Sequence, residues 1–197
     1  MILYGASGHA KVIIDICKKI GKEITFIWDD NPEIKEILNI SVLQPESQVG
    51  PNEKIIVSIG DNRTRKQIVD KNQFQFGTAI HPSAIIDSTS VIGTGTVVMA
   101  GTIVNSSVSI NDHCIVNTSA SIDHDCKMDN FVHISPNATI CGGVNIGEGT
   151  QVGAGAVIIP NLNIGKWCKI GAGAVVVRNV PDGATVVGNP GRMVKIG

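Results

Sequence analysis

His124 lies between two aspartates, Asp123 and Asp125. Histidine titrates close to neutral pH, and a carboxylate that holds one ring nitrogen leaves the other free to accept a proton. Because successive side chains of a strand point to opposite faces, Asp125 reaches the ring only if the chain turns a corner there, and Asp123 is a rival partner. The run therefore contains a candidate proton acceptor with two possible partners.

The element around this run is a repeat, because every sixth residue from Ile80 to Val176 is aliphatic or Met. This period is typical of a parallel β-helix, in which each hexad is one short strand and one corner, and three hexads close a coil. The residue after the aliphatic one is often Gly, Asn or Asp, which predicts the left-handed backbone of a corner at that position. These residues are Gly93, Asn105, Asn111, Asn117, Asp123, Asp129, Gly147, Gly153, Gly165 and Gly171.

Residues that are eighteen apart stack in such a coil, which puts Gly142 directly above His124. Glycine leaves room above the ring and offers a backbone N–H, which suits a substrate carbonyl beside a base and an oxyanion donor. The alternative is that this glycine only relaxes a corner. Ala154 and Ala172 stack in another column, where small residues would form a smooth track along the helix axis.

The N-terminal part has a different pattern. An apolar run at residues 1–4 is followed by a glycine-rich turn and a segment with helical periodicity, which is the start of a Rossmann-like unit. Such a turn can bind a phosphate at the helix N-terminus, although a plain strand-to-helix turn is equally compatible. A second strand ends at Asp29 and Asp30, where nucleotide-binding folds contact a ribose, or where a solvated turn lies. A third strand leads to residues 60–62 at the same sheet edge, and Arg63 and Arg65 follow, to meet a phosphate or face solvent.

Composition excludes several classes of function. A formal charge of −1 gives no electrostatic case for nucleic acid, and the absence of a long apolar run argues against membrane insertion. The five cysteines form no CxxC pair, which predicts reduced thiols in a cytoplasmic protein. No His, Cys and Asp grouping has metal-site spacing, so we expect no metal. No setting for a nucleophilic serine or cysteine is present, so a covalent acyl-enzyme is not indicated.

The order of motifs resembles a known family. Tyr4–His9, Asp29-Asp30, Ile59–Asn62 and the hexads together are similar to the sugar O-/N-acyltransferases of the hexapeptide-repeat class, and the tail 187–195 resembles their C-terminal end. The resemblance implies a left-handed coil, which period alone does not predict because parallel crossovers are nearly always right-handed. It also implies acetyl-CoA as co-substrate, a nucleotide sugar on the small domain, and a homotrimer with sites between neighbouring chains.

The same resemblance assigns roles to individual residues. His124 matches the family's base, with the carboxylate after it orienting the ring, and His133 matches a position that contacts acetyl-CoA, or is an exposed corner histidine. With acetyl-CoA as co-substrate, the track of Ala154 and Ala172 would take its pantetheine arm. Arg192 would suit the phosphates of CoA, as would Lys195, or both only solubilise the tail. The candidate substrate-binding residues are Ser7, Gly8, His9, Asp29, Asp30, Gly60, Asn62 and Asn117.

We therefore expect an α/β Rossmann-like domain over residues 1–78, followed by a left-handed parallel β-helix over residues 79–197. The predicted function is acetyl-CoA-dependent N-acetylation of a UDP-linked 4-amino sugar, for surface glycan or glycoprotein synthesis. Sialic acid or serine O-acetylation is the alternative within the same class. A non-catalytic scaffold that binds a nucleotide sugar is the alternative from another class.

Overall fold

The computed structural model describes residues 1–45 and 53–196, and its N-terminal domain is a small α/β unit. The elements of this domain are β1 (Ile2–Tyr4), α1 (Gly8–Lys19), β2 (Ile27–Trp28), β3 (Glu36–Ile37), β4 (Ile40–Leu43), β5 (Ile55–Val57) and α2 (Asn62–Lys71). The parallel strands β4, β2, β1 and β5 lie side by side in that order, and β3 pairs antiparallel with β4 at the edge. Strands β1 and β5 are fully buried, as their continuous apolar sequences predict.

The remainder is a parallel solenoid of two-residue strands, and each strand begins six residues after the one before it. The strands are β6 (Ala79–Ile80), β7 (Ile85–Ile86), β8 (Val91–Ile92), β9 (Val97–Val98), β10 (Ile103–Val104), β11 (Ser109–Ile110), β12 (Ile115–Val116), β13 (Ser121–Ile122), β14 (Lys127–Met128), β15 (His133–Ile134), β16 (Thr139–Ile140), β17 (Asn145–Ile146), β18 (Gln151–Val152), β19 (Val157–Ile158), β20 (Asn163–Ile164), β21 (Lys169–Ile170) and β22 (Val175–Val176). The hexads end there, and β23 (Ala184–Val187) and β24 (Arg192–Ile196) form a closing antiparallel pair.

Three sheets form the walls of the solenoid. Sheet 1 contains β6, β9, β12, β15, β18, β21, β23 and β24; sheet 2 contains β7, β10, β13, β16, β19 and β22; sheet 3 contains β8, β11, β14, β17 and β20. Within β6 to β22, every strand pairs with residues eighteen away, for example Ser121 with Thr139 and His133 with Gln151. The predicted register is therefore confirmed along the whole repeat.

The interior column of aliphatic residues makes the core of the solenoid. From Val98 to Val176 each sixth residue is at most 3% exposed. Ile80, Ile86 and Ile92 are only partly buried, because they lie in the first coil and no coil covers them from below. The core thus depends on stacking between coils and not on contact with another element.

The corners differ from the prediction. The left-handed residue is the third after the aliphatic one, at every sixth position from Gly95 to Gly173, and even Phe131 and Trp167 adopt this backbone. The glycines directly after the aliphatic residue serve another purpose. A Cβ at Gly93 would lie 2.5 Å from the carbonyl carbon of Asn111 in the next coil, so glycine there permits close approach between coils.

The two domains share a buried apolar cluster. Helix α1 turns its apolar face toward the outer surface of sheet 1, so that Ile13 and Ile14 lie in one cluster with Val97, Met99 and Ile115. Sheet 1 is therefore apolar on both faces where α1 covers it. The N-terminal domain is in consequence fixed against one particular wall of the solenoid.

Candidate active site

His124 lies in the corner between sheets 2 and 3, which we call the 2–3 edge (residues 123–126 in this coil). Asp125 takes the left-handed backbone, with φ of 59°, and this turn brings its carboxylate Oδ2 to 2.8 Å from His124 Nδ1. Asp123 instead accepts hydrogen bonds from the backbone N–H of His124 at 2.8 Å and from Asn105 Nδ2 at 2.9 Å. Of the two rival aspartates, Asp125 therefore holds the ring and Asp123 holds the corner.

The ring of His124 lies against Gly142, one coil above. A Cβ on Gly142 would be 2.7 Å from both Nε2 and Cε1 of the ring. The space above His124 is thus occupied by its own imidazole, and the glycine is what permits this orientation. Among the described residues, no hydrogen bond satisfies the backbone N–H of Gly142, so a donor lies beside the free Nε2 atom.

The charge around His124 favours its protonated form. The hydrogen bond that His124 donates to the Asp125 carboxylate raises the pKa of His124, and the nearby charge of Asp123 adds to this effect. The two side chains of the pair are 58% and 66% exposed, so a substrate can reach them directly. An oriented, accessible imidazole with a raised pKa suits proton transfer near neutral pH.

The 2–3 edge continues upward to a cavity at the C-terminal end of the solenoid. Strand β22 lies three coils above β13, a rise of about 14 Å, and Arg178 follows it in the last corner of this edge. That corner is two residues shorter than those below it, because Val180 pairs with Ile164. Arg178 and Arg192 line this cavity of about 470 Å³ together with apolar side chains. Lys195 lines a different cavity, beside sheet 1.

Ala154 and Ala172 lie on the edge between sheets 1 and 2, the 1–2 edge. Both are exposed, and Gly155 and Gly173 beside them have open space where a side chain would be. The small-residue column therefore exists. It follows a different edge from the one that carries His124 and Gly142.

In the N-terminal turn, Ser7 and Gly8 are exposed at the start of α1. His9 is more enclosed, and its Nε2 has no hydrogen-bond partner among the described residues. Burial, with the charge of Arg65, lowers the pKa of His9 to about 4. The histidine is therefore neutral at physiological pH, with a ring nitrogen that has no protein partner.

The two predicted ribose-binding aspartates differ. Asp29 uses both carboxylate oxygens on the backbone, accepting from Ala6 N at 2.6 Å and from Asn31 N at 2.8 Å. Asp30 is exposed and is 3.3 Å from the Tyr4 hydroxyl. Asp29 thus shapes the turn, and Asp30 is the carboxylate that faces open space.

His133 is buried against the N-terminal domain, so the exposed-corner interpretation is wrong. Its Nδ1 is 3.3 Å from the carbonyl oxygen of Gly60, and its Nε2 is 3.2 Å from Asn117 Nδ2. Burial, together with the charges of Arg65 and His9, lowers the pKa of His133 to about 4. The neutral histidines 9 and 133 therefore lie close together where the two domains meet.

Asn62 and Arg65 also lie in the domain interface and not at an open surface. Asn62 is buried, donates to Gly149 O at 3.0 Å, and accepts from Arg65. Arg65 is 1% exposed, which contradicts both a phosphate-binding and a solvent-facing role. The Arg63 guanidinium instead lies 4.8 Å from the centroid of Trp167.

Within one chain, the structure separates the site residues into two groups. His124 and Gly142 lie on the 2–3 edge, whereas His133 points outward from sheet 1, on the opposite side of the same coil. The buried column of Ile122, Met128 and Ile134 lies between the two sides. No single substrate can contact both groups of the same chain.

Comparison with known proteins agrees with this architecture. Residues 1–72 match the family model "PglD N-terminal domain", and residues 125–160 and 143–178 match "Bacterial transferase hexapeptide (six repeats)". A mutant of perosamine N-acetyltransferase from Caulobacter crescentus, in complex with CoA and GDP-perosamine, is 34% identical, with a TM-score of 0.94 over 98% of this chain and 96% of that one.

The acetyltransferase domain of PglB from Neisseria gonorrhoeae FA1090, in complex with acetyl coenzyme A, is 35% identical, with a TM-score of 0.91 and 98% coverage of both chains. WeeI from Acinetobacter baumannii AYE is 27% identical, with a TM-score of 0.91 and the same coverage. This chain belongs to the hexapeptide-repeat acetyltransferases with a PglD-type N-terminal domain. Membership confirms the predicted left-handed β-helix and the Rossmann-like N-terminal domain.

The described part of the chain was also compared with the requirements of a metal site and of a membrane-spanning helix. Within residues 1–45 and 53–196, no three His, Cys, Asp or Glu side chains gather as metal ligands would. Neither helix of that part of the chain has the length and apolar character to cross a bilayer.

Not all of this site was visible in the sequence. Arg178 was not among the predicted residues, although it follows the last hexad on the same edge as His124 and the repeat could have identified it. The proximity of His9 to His133 had no signal in the sequence, because it depends on how the N-terminal domain docks on sheet 1. The partner of His124 depended on one backbone angle, which the residue types do not fix.

We predict that Asp125→Asn shifts the acid limb of kcat/KM to lower pH and lowers the plateau. Protonated His124 is not a base, so activity is lost as pH falls through its pKa, which Asp125 raises above the usual value of about 6.5. Without that carboxylate the pKa falls, and the ring loses its orientation. A pH–rate profile measures both effects. Asp123→Asn is the matched control and should shift the limb less; an equal or larger shift would contradict the assignment.

Proposed function

We propose that this protein transfers the acetyl group of acetyl-CoA to the amino group of a nucleotide-linked 4-amino sugar, with UDP as the expected nucleotide. The observation that carries the proposal is the oriented pair of His124 and Asp125 beside the unpaired N–H of Gly142. The perosamine N-acetyltransferase mutant from Caulobacter crescentus holds CoA, and the PglB acetyltransferase domain from Neisseria gonorrhoeae holds acetyl coenzyme A.

The chemistry uses these three groups. Asp125 accepts Nδ1–H, so Nε2 of His124 has its lone pair directed outward. The amine attacks the thioester carbon as Nε2 takes its proton, and the Gly142 N–H donates to the oxyanion. The C–S bond then breaks, and the imidazolium returns the proton to the sulfur. The products are the acetamido sugar and the CoA thiol, with no covalent enzyme intermediate.

The 2–3 edge supplies a path for CoA. With its thioester beside His124, a pantetheine arm that runs up the edge reaches Arg178 and Arg192 after about 14 Å. These arginines have the charge and planar geometry that phosphate recognition favours. The exposed column of Ala154 and Ala172 suits the other side of the same arm, contributed by a neighbouring chain.

The sugar nucleotide would bind beside the N-terminal turn, near the domain junction. The turn of Ser7 and Gly8 presents backbone N–H groups for a phosphate, and Asp30 faces open space. His9 is neutral and its Nε2 has no partner among the described residues, so it can hydrogen-bond to a sugar hydroxyl without the cost of a buried charge. His133 is also neutral, and its Nε2 holds the amide of Asn117 beside the same junction. A GDP-linked amino sugar is the second candidate, because the Caulobacter crescentus relative holds GDP-perosamine.

The proposed function predicts thiol release from acetyl-CoA that depends on the sugar. We expect release with a UDP-linked 4-amino sugar above that with dTDP- or GDP-linked amino sugars, CMP-sialic acid or serine. His124→Ala should lower kcat by about two to four orders of magnitude, with both KM values within several-fold. Release with sialic acid or serine alone would support O-acetylation. Sugar binding without any release would support the scaffold and contradict the proposal.

We further propose that the active form is a homotrimer that buries sheet 2. The outward residues of sheet 2 are uncharged and partly apolar, including Ile85 at 67% and Ile103 at 40% exposed. Sheet 3 instead presents polar outward residues such as Lys127 and Asn145, and the N-terminal domain covers the lower strands of sheet 1. Three chains that pack through sheet 2 around one axis would bring the 2–3 edge of each beside the 1–2 edge of the next.

Charge on sheet 2 should therefore break the assembly. Ile85→Glu is expected to convert the trimer to a monomer and to abolish acetyl transfer, because an unpaired charge would be buried at the contact. Val91→Glu is the matched control, since Val91 lies on sheet 3 and is 63% exposed. Analytical ultracentrifugation measures the oligomeric state of both variants. A wild-type monomer that retains activity, or dissociation by Val91→Glu alone, would contradict this assembly.

A further inference from the structure

Arg65 carries a positive charge into the domain interface, where its side chain is 1% exposed. Among the described residues no carboxylate accepts a hydrogen bond from it, and its five acceptors are neutral oxygens. Burial lowers the pKa of this guanidinium to about 10, so it remains charged at neutral pH. The acceptors are Ile59 O at 2.9 Å, Gly60 O at 3.3 Å, Asn62 Oδ1 at 2.8 Å, His113 O at 2.9 Å and Phe131 O at 3.0 Å.

One of these acceptors also contacts a site residue. The carbonyl oxygen of Gly60 receives Arg65 Nη1 from one side and faces His133 Nδ1, at 3.3 Å, from the other. A carbonyl oxygen only accepts hydrogen bonds, so Nδ1 of His133 must carry the proton. Nε2 is then an acceptor, and Asn117 Nδ2 donates to it at 3.2 Å. The amide of Asn117 is fixed in turn, since its Oδ1 accepts from Thr118 N at 2.8 Å.

We propose that Arg65 is a positioning residue that fixes the Gly60 carbonyl and thereby sets the tautomer and orientation of His133 and Asn117. The guanidinium donates to the carbonyl oxygens of Ile59 and Gly60, which follow β5 in the N-terminal domain. It also donates to carbonyl oxygens in two corners of the solenoid, those of His113 and Phe131. It therefore aligns the Gly60 carbonyl relative to sheet 1, where His133 stands. The catalytic importance of this alignment rests on the proposed function, whereas its effect on the tautomer does not.

The choice of arginine supports this role. If Arg65 served only to hold the two domains together, an apolar residue would stabilise the interface at least as well, because a buried charge loses its hydration. A planar fork with five donors can instead hold carbonyls from two domains in one fixed geometry. Lys66 provides the contrast on the same helix: it crosses the interface to Glu148 at 3.4 Å and to the Phe131 ring, but does not touch Gly60.

The test uses the full-length protein and reads the tautomer directly. With ¹⁵N-labelled histidine, the chain gives five imidazoles, which single-histidine variants assign. We expect His133 to show one neutral tautomer with the proton on Nδ1. Arg65→Met should lose this single form and lower kcat/KM for the sugar by about 10- to 100-fold, as expected when reacting groups are misplaced. Lys66→Met, which also loosens the interface, should leave the His133 signals unchanged.

Arg65→Lys separates charge from geometry. It keeps the positive charge without the fork, so we expect shifted His133 signals and an intermediate kcat/KM. If Arg65→Met does not fold, Arg65→Lys takes its place, and its His133 signals are compared with those of Lys66→Met. An unchanged His133 tautomer in the folded Arg65 variants, or an equal change in Lys66→Met, would overturn the proposal. The spectra need no substrate, so they test Arg65 even if the wild type transfers no acetyl group.

Discussion

The parallel pairing of residues eighteen apart is the constraint on which the rest of this structure depends. Each strand contributes one inward side chain, and the backbone hydrogen bonds between coils fix which residues stack. No coil can slip by one residue without turning its inward aliphatic side chain out to solvent. This rigidity places Gly142 over His124 and Arg178 three coils above, so one edge holds a base, a donor and a cationic end in line.

The same constraint divides the site. In one coil, positions 124 and 133 lie on opposite sides of the buried column, and no side-chain movement brings them together. The N-terminal domain lies on the same side of the solenoid as position 133, because α1 and Arg65 fix it to sheet 1. Sheet 2 is left uncovered and lacks charge. An active site that uses all of these residues must therefore combine two chains.

The repeat explains why most of the fold was predictable. An aliphatic residue at every sixth position fixes the coil length, the inward column and the partners of every strand. The corners were harder, since the left-handed residue is of any type, including Phe131, and the glycines that suggested it serve close packing between coils. The burial of Arg65 could not be predicted, because it depends on how the N-terminal domain packs on sheet 1. Sequence alone shows only an arginine that follows a sheet edge, which suggests a phosphate ligand. The two uses that the sequence allowed for Asp29, a ribose contact or a turn, could not be separated for a similar reason, since only the structure shows that its oxygens accept from the backbone of the local turn.

Complementation between two inactive chains tests most directly whether the site is shared. One chain carries His124→Ala, and the other carries His9→Ala with His133→Ala, so each is damaged on one side of the coil only. Each should be nearly inactive alone. After co-expression in equal amounts, random trimers should regain about a quarter of the wild-type activity, because that share of contacts joins two intact halves. A mixture of confirmed hybrid trimers that stays as inactive as its parents would contradict a site built from two chains.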